Sequence, residues 1–141
     1  MKFLLQEEPI SKARHRSHIV SGHIMQYDPQ KNAKMHAKFE FAKQMRINEY
    51  AIIEDGPIEL SIRNFVKIPT SWSPKKKHTF EGLPCPSRPD IDNYAKFYFD
   101  VLNGIAYHDD KQITRCILEK VYSAIPRVEI FLWPFGEQEC K

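Results

Sequence analysis

Five stretches of the chain have patterns of hydrophobic and polar residues that predict β-strands. Ser21-Gly22 is a suitable turn within the second stretch, which alternates cationic or histidine residues with small and apolar ones, so a basic hairpin is predicted there. Pro126 falls in the turn between the last two. The stretches are KFLLQ at the N-terminus, residues 12–27, the half-buried pattern IELSIRNFV at 58–66, and residues 113–122 and 128–133.

Two other stretches have the three- and four-residue spacing of helices. In the first, Asp28 is a suitable N-cap and Pro29 a suitable first helical residue, and the helix is predicted to run to about Asn48. Its apolar positions at that spacing are Met35, Phe39, Ala42 and Met45 or Arg46.

The second predicted helix begins with Asp90 or Asp92 as its cap and runs to about Asn103. Gly104 is expected to end it in the left-handed conformation. Its buried positions include Phe97, Val101 and Leu102.

Residues 67–89 are rich in Pro, Ser and Lys and have no sustained periodicity. A loop of this length is uncommon inside a compact domain, so a functional or disordered segment is expected.

The length of 141 residues and the mixed order of elements predict one compact α+β domain over residues 1–141. We expect a mixed or antiparallel sheet with two main helices packed on it. Cys85, Cys116 and Cys140 match neither a disulfide framework nor a zinc-binding spacing and are interpreted as free thiols. No stretch is long and apolar enough to span a bilayer, and the N-terminus lacks the features of a secretory signal, so a cytoplasmic protein is expected.

Charge is segregated along the chain although the net charge is only +3. Residues 11–46 carry eight Lys or Arg against two acids, and residues 63–88 carry six against one. Residues 47–62 and 89–110 each have a local charge of −4. This distribution is expected when cations hold a polyanion while carboxylates hold a metal ion.

The second acidic stretch contains two pairs of aspartates that could meet. Asp90 and Asp92 can converge if Asp90 ends an extended segment and Asp92 opens the helix, and Lys96 lies one turn further on the same face. Asp109 and Asp110 follow the end of that helix, and a divalent ion would offset the repulsion among the carboxylates. Oxygen ligands of this kind favour Mg²⁺ or Mn²⁺ over Zn²⁺.

Each of these features has a purely structural alternative. Aspartates at a helix start usually cap it, and an Asp-Asp pair after a helix is usually a solvated turn. Lys96 could form an ion pair with Asp92 or Asp100 at helical spacing. Trp72 could stack on a base or wedge at the centre of branched DNA, or pack in the core or at a dimer interface.

Four elements in order resemble the signature of the RusA family of Holliday junction resolvases. They are Arg88-Pro89-Asp90-Ile91-Asp92-Asn93, Lys96, the segment Asp100-Val101-Leu102-Asn103-Gly104, and His108-Asp109-Asp110 with Gln112. The resemblance extends more loosely to the KARHR segment, to Tyr27-Asp28-Pro29 and to the IPTSWSPKKK segment.

The resemblance implies a magnesium-dependent endonuclease that acts as a homodimer and cuts four-way DNA junctions by paired nicks. Asp90, Asp92 and Asp110 correspond to the essential metal-binding aspartates of the family, and Lys96 to its functional lysine. Asp109 is a further candidate metal ligand, because the spacing leaves open which of the two neighbouring aspartates carries the site.

Cationic residues in both basic stretches are candidates for contact with the DNA backbone. They are Lys12, Arg14, Arg16, Lys75, Lys76, Lys77 and Arg88. Three other functions remain open on the sequence: a nuclease for other branched DNA, a nucleic-acid-binding module without cleavage, and a metal phosphoesterase for small substrates. The last would have no use for two basic stretches.

Overall fold

The computed structural model describes residues 1–13 and 16–137. Arg14, a predicted DNA contact, and Cys140 lie outside this range. The elements in chain order are β1 (Lys2–Leu5), β2 (Arg16–Val20), β3 (His23–Tyr27), α1 (Lys31–Ile47), β4 (Ile58–Lys67), α2 (Pro74–Phe80), α3 (Ile91–Leu102), a 3-10 turn (Asp110–Gln112), β5 (Ile113–Ser123) and β6 (Arg127–Pro134).

Four of the strands form one mixed sheet in the order β1-β6-β4-β5. β4 pairs with β5 in parallel and with β6 antiparallel, and β1 pairs antiparallel with β6. Parallel neighbours need a long crossover, which here passes through α2 and α3. The predicted α+β fold with a mixed sheet is therefore confirmed, while the homodimer stays a prediction.

β4 lies at the centre of the sheet and is buried on both faces, so the prediction of a half-buried strand was wrong. Ile58, Leu60 and Ile62 are fully buried on the side of the helices. On the opposite side Glu59 is also buried, because its carboxylate accepts a 2.7 Å hydrogen bond from the indole of Trp133. Because Glu59 is polar, the sequence pattern suggested an exposed face at this position. The hydrogen bond from Trp133 allows Glu59 to be buried.

α1 packs through a face that shares only Met45 with the predicted apolar set. Ala37, Phe41 and Met45 are its buried residues, and Phe41 meets Phe3 of β1 edge to face at 5.5 Å. Met35 and Phe39 are 60% and 66% exposed. Both sets of residues have helical spacing, and the contact between Phe41 and Phe3 selects the set that is buried.

The predicted start of α1 was two residues early. The helix begins at Lys31, and the side chain of Asp28 accepts a hydrogen bond from the backbone N–H of Gln30 at 2.8 Å. Asp28 therefore closes the turn before the helix rather than capping the helix itself.

Residues 67–89 are not an irregular loop, because they contain α2. Ser73 is the N-cap of α2, with its hydroxyl accepting from the N–H of Lys76, and Pro74 is the first helical residue. Trp72, which precedes the helix, and Phe80, which is its last residue, pack against Tyr122 of β5, with ring centroids 5.3 and 6.1 Å from the tyrosine ring. The Ser-Pro pair was the available signal for this helix.

α3 confirms the second predicted helix. Phe97, Val101 and Leu102 are fully buried, and Gly104 adopts a φ of +76° just after the helix ends. The hairpin β2–β3 with its turn at Ser21-Gly22 is also confirmed. Cys85 and Cys116 are free thiols. Within the described residues no helix has the length and apolar character needed to cross a membrane.

Candidate active site

The N-terminus of α3 presents two carboxylates to solvent. Asp90 is the N-cap residue, in extended conformation with φ −67° and ψ 149°, and its side chain makes no capping hydrogen bond. Asp92 lies in the first turn of the helix, and both residues are exposed. The positive end of the helix dipole favours negative charge at this position.

Lys96 lies one turn along α3 and forms an ion pair with Asp92. Its Nζ is 2.7 Å from the Asp92 carboxylate, and this hydrogen bond lowers the pKa of Asp92. Both side chains are more than half exposed, so the pair contributes little to stability. The ion pair with Asp92, which the sequence suggested as the structural role of Lys96, is thus present. The same contact places an ammonium beside one carboxylate of the candidate site.

Asp109 and Asp110 have different local environments. Asp109 is the N-cap of the 3-10 turn, and its carboxylate accepts a hydrogen bond from the N–H of Lys111 at 2.9 Å, which lowers its pKa. Gln112 completes a capping box by accepting from the N–H of Asp109 at 2.9 Å. Asp110 is exposed and takes no part in this box. Asp109 is therefore engaged in holding the turn, and Asp110 is the more available ligand.

Gln112 also ties this turn to the loop before β4. Its amide donates to the carbonyls of Ile53 and Gly56 at 3.3 and 3.2 Å. The loop brings Glu54 and Asp55 beside Asp109, around a shallow cavity of about 310 Å³. The sequence analysis did not select these two acids, although the local charge of −4 over residues 47–62 was a signal for them.

The two aspartate pairs lie towards opposite ends of α3. The turn after the helix packs against its last turn, since the Tyr107 hydroxyl donates to the carbonyl of Phe99 at 2.9 Å and the N–H of Gly104 to the carbonyl of Tyr107 at 2.8 Å. A helix of 12 residues is about 18 Å long. In residues 1–13 and 16–137 no three His, Cys, Asp or Glu side chains are grouped closely enough to hold a metal ion.

Lys120 of β5 holds the segment that leads into α3. Its ammonium donates to the carbonyls of Ser87 and Pro89, the latter at 2.9 Å. The segment includes the exposed Arg88, one of the predicted DNA contacts. Lys120 thereby positions the residues before Asp90, and nothing in its sequence context indicated this role.

The predicted DNA contacts of the first basic stretch differ in their availability. The ammonium of Lys12 pairs with Asp100 of α3 at 2.8 Å, and its backbone N–H donates to the carbonyl of Asn93 at 2.8 Å. Arg16, at the start of β2, is exposed. Lys12 therefore anchors the N-terminal segment on α3, whereas Arg16 is open to solvent.

The lysines of α2 surround a packed aromatic cluster. Lys75 and Lys76 are exposed and Lys77 is half-buried. The Nζ of Lys76 lies 4.0 Å from the ring centroid of Trp72, in a cation–π contact. Trp72 itself is half-buried, and its ring centroid is 5.0 Å from that of Phe80. The structure therefore contains the packing role for Trp72 that the sequence suggested as an alternative to DNA contact.

Comparison with known proteins identifies the family. The model of the family described as "Endodeoxyribonuclease RusA" matches residues 7–132, which include β2 to β5, most of β6 and all three helices. A protein of Bacillus subtilis (strain 168) named "Uncharacterized protein YqaN" is 32% identical over 136 residues, which cover 94% of each chain. The match includes α3 and the Asp109-Asp110 turn, so the resemblance of those motifs is part of a similarity across the whole fold. The chain belongs to the RusA family of endodeoxyribonucleases.

Proposed function

We propose that this protein is a magnesium-dependent endonuclease that resolves four-way DNA junctions by paired nicks. Membership of the RusA family carries Holliday junction endodeoxyribonuclease activity. The observation that supports this chemistry in the chain itself is the N-terminus of α3, where two exposed carboxylates lie within one helical turn of a lysine.

The residues at the start of α3 suit Mg²⁺, with Mn²⁺ as a substitute. Magnesium in nucleic-acid enzymes is usually held by one or two carboxylates, waters and substrate phosphates, and does not need a complete protein cage. Asp90 and Asp92 supply such carboxylates, and the oxygens of Asp90 are not used in capping. The ion would neutralise charge on the scissile phosphate and lower the pKa of a bound water.

Lys96 supplies the mobile positive charge of the site. In the free protein its ammonium neutralises Asp92. If Asp92 held a metal ion, the ammonium would be available to contact a phosphate oxygen, and the partial exposure of the side chain leaves it free to turn. Asp110 would be the third ligand, and Asp109 keeps the turn that presents it.

A homodimer is the assembly that suits both the substrate and the separation of the carboxylates. A four-way junction has two equivalent strands to cut, and a two-fold dimer supplies two equivalent sites. Since the described residues of one chain group no three carboxylates closely enough to hold a metal ion, we propose that Asp110 of a second copy completes each site. Both nicks then depend on dimer formation.

DNA is held on both sides of the site by the basic stretches. The residues proposed to contact phosphates lie in four places along the chain: before β2, in β2, on α2 and just before α3. They are Lys12, Arg14, Arg16, Lys75, Lys76, Lys77 and Arg88. Binding should weaken steeply as salt concentration rises, because each phosphate contact releases counterions.

The test is cleavage of labelled DNA by the wild type, by Asp90→Asn and by Glu40→Gln, which neutralises a carboxylate on α1 as the control. The substrates are a four-way junction, a flap and a linear duplex, with and without Mg²⁺. We expect paired nicks in the junction from the wild type and the control, and binding without cutting from Asp90→Asn. Equal cutting by Asp90→Asn would refute the site assignment.

The same experiment separates the other functions. A binding module without cleavage would bind the junction unchanged in chelator and never cut it. A phosphoesterase for small substrates would show little dependence of DNA affinity on salt. A nuclease for other branched DNA would cut the flap in preference to the four-way junction.

A further inference from the structure

The hairpin β2–β3 is a two-stranded sheet that stands apart from the main sheet. None of its residues belongs to either buried cluster of the described chain, and every residue of it whose burial is described is exposed. A two-stranded hairpin has little stability alone in water. A conformation of this kind is therefore suited to an arm that acts by binding something outside its own domain.

The tip of this arm is apolar. Ile19 and Ile24 are directly opposite each other across the two strands, so their side chains share one face, and each is 74% exposed. The turn that follows is tight, since Ser21 and Gly22 have φ values of +50° and +80°, as in the two-residue turns that match strand twist. Two aliphatic side chains thus stand together close to the end of a narrow projection.

The chain around this tip is free of negative charge. Residues 9–27 contain no Asp or Glu, and they contain Lys12, Arg14 and Arg16 together with three histidines. The arm itself carries Arg16 and no acid, and an aliphatic end on such an arm matches a polyanion whose interior is apolar, namely DNA with a base step that can be opened.

The root of the arm is fixed to the helix that carries the candidate site. Gln30 donates from its amide to the carbonyl of Ser11 and accepts from the N–H of Ala13, both at 2.7 Å. Between them, the backbone N–H of Lys12 donates to the carbonyl of Asn93 in the first turn of α3. The position of the arm is thereby tied to Asp90 and Asp92.

We propose that Ile19 and Ile24 form a wedge that inserts between base pairs at the branch point of the DNA. This inference rests on the proposed function and adds the element that distinguishes a branched substrate from a duplex. Opening a stacked step is costly, and the base pairs at a branch point lack one stacking neighbour, so the wedge enters there most easily. Because the arm is anchored on α3, the wedge also sets the distance from the branch point to the cut.

The test uses Ile19→Thr/Ile24→Thr, which removes the apolar ends while keeping β-branched side chains suited to a strand. Ile19→Leu/Ile24→Leu keeps an apolar tip, and Ile125→Thr changes an isoleucine that is 71% exposed in the turn before β6. The probe is a four-way junction with 2-aminopurine beside the branch point, in chelator so that it is not cut. Fluorescence, affinity for junction and duplex, and mass by light scattering are measured.

We expect the wild type, the leucine variant and the Ile125 variant to raise the fluorescence, which reports unstacking. The threonine variant should lose this rise and about tenfold of its preference for junction over duplex, while its affinity for duplex is unchanged. A threonine variant with normal fluorescence and preference overturns the wedge, and so does one that changes from dimer to monomer, which would make the tip a subunit contact. If the wild type neither binds nor cuts the junction, the proposed function itself fails; if it does both and the threonine variant matches it, only the wedge fails.

Discussion

Gln112 offers a direct test of how the Asp109-Asp110 turn is held. Its side chain forms four hydrogen bonds: it accepts from the N–H groups of His108 and Asp109 at 3.0 and 2.9 Å, and donates to the carbonyls of Ile53 and Gly56 at 3.3 and 3.2 Å. Gln112→Ala removes all four and disconnects the turn from the loop before β4.

The expected loss of stability follows from these four bonds. A hydrogen bond contributes on the order of 1 kcal/mol net, and the two longer bonds to carbonyls contribute less. Water can replace part of the set, because His108 and Gly56 are exposed. We therefore expect a loss of about 2 kcal/mol in the free energy of unfolding, which corresponds to a fall in Tm of about 6–10 °C for a domain of this size.

The assay is thermal unfolding together with cleavage of the four-way junction over a range of Mg²⁺ concentrations. If Asp110 is a ligand, the loosened turn should raise the Mg²⁺ concentration needed for half-maximal cleavage while binding of the junction in chelator stays unchanged. Gln6→Ala is the control, since Gln6 is exposed and forms none of the described side-chain hydrogen bonds. A fall in Tm below about 2 °C would show that the four bonds do not hold the turn.

Two further predictions concern the charges of the site. Lys96→Met should raise the pKa of Asp92 towards its ordinary value, because the hydrogen bond from Lys96 lowers it in the wild type. The stability from that bond is present at neutral pH and is lost as the pH falls through the Asp92 titration, so the variant should lose less folding stability on acidification than the wild type. Carboxyl-detected NMR measures the pKa directly. Asp90→Asn and Asp110→Asn copies, each inactive alone, should recover single nicks when they are mixed in equal amounts. The expected rate is about a quarter of the wild-type rate, because half of the dimers then have one intact site out of two. If no activity returns after verified exchange of subunits, both aspartates of a site belong to one copy.

The elements of this fold could be predicted where the pattern is local. α3 and the strands β5 and β6 follow from periodicity and from the Gly104 and Pro126 signals alone. The buried face of α1 could not be chosen in this way, since two apolar sets share its helical spacing and only contact with Phe3 selects the set containing Phe41. α2 was missed because its stabilising contacts come from Tyr122, more than forty residues later in the chain.

In the candidate site, too, only the features that depend on local spacing or motifs could be predicted from the sequence. The aspartates and Lys96 were selected through their resemblance to the RusA motifs, whereas the ion pair between Lys96 and Asp92 follows from local helical spacing. The roles that separate Asp109 from Asp110 depend on Gln112 and its contacts with Ile53 and Gly56, which lie more than fifty residues away. Spacing also suggested that the aspartates converge, and in the described residues no three of these carboxylates are grouped closely enough to hold a metal ion. Convergence of Asp90, Asp92 and Asp110 on one ion would need either movement of the turn, which Gln112 and Tyr107 anchor, or a second copy of the chain, and mixing of the Asp90→Asn and Asp110→Asn copies separates these two cases.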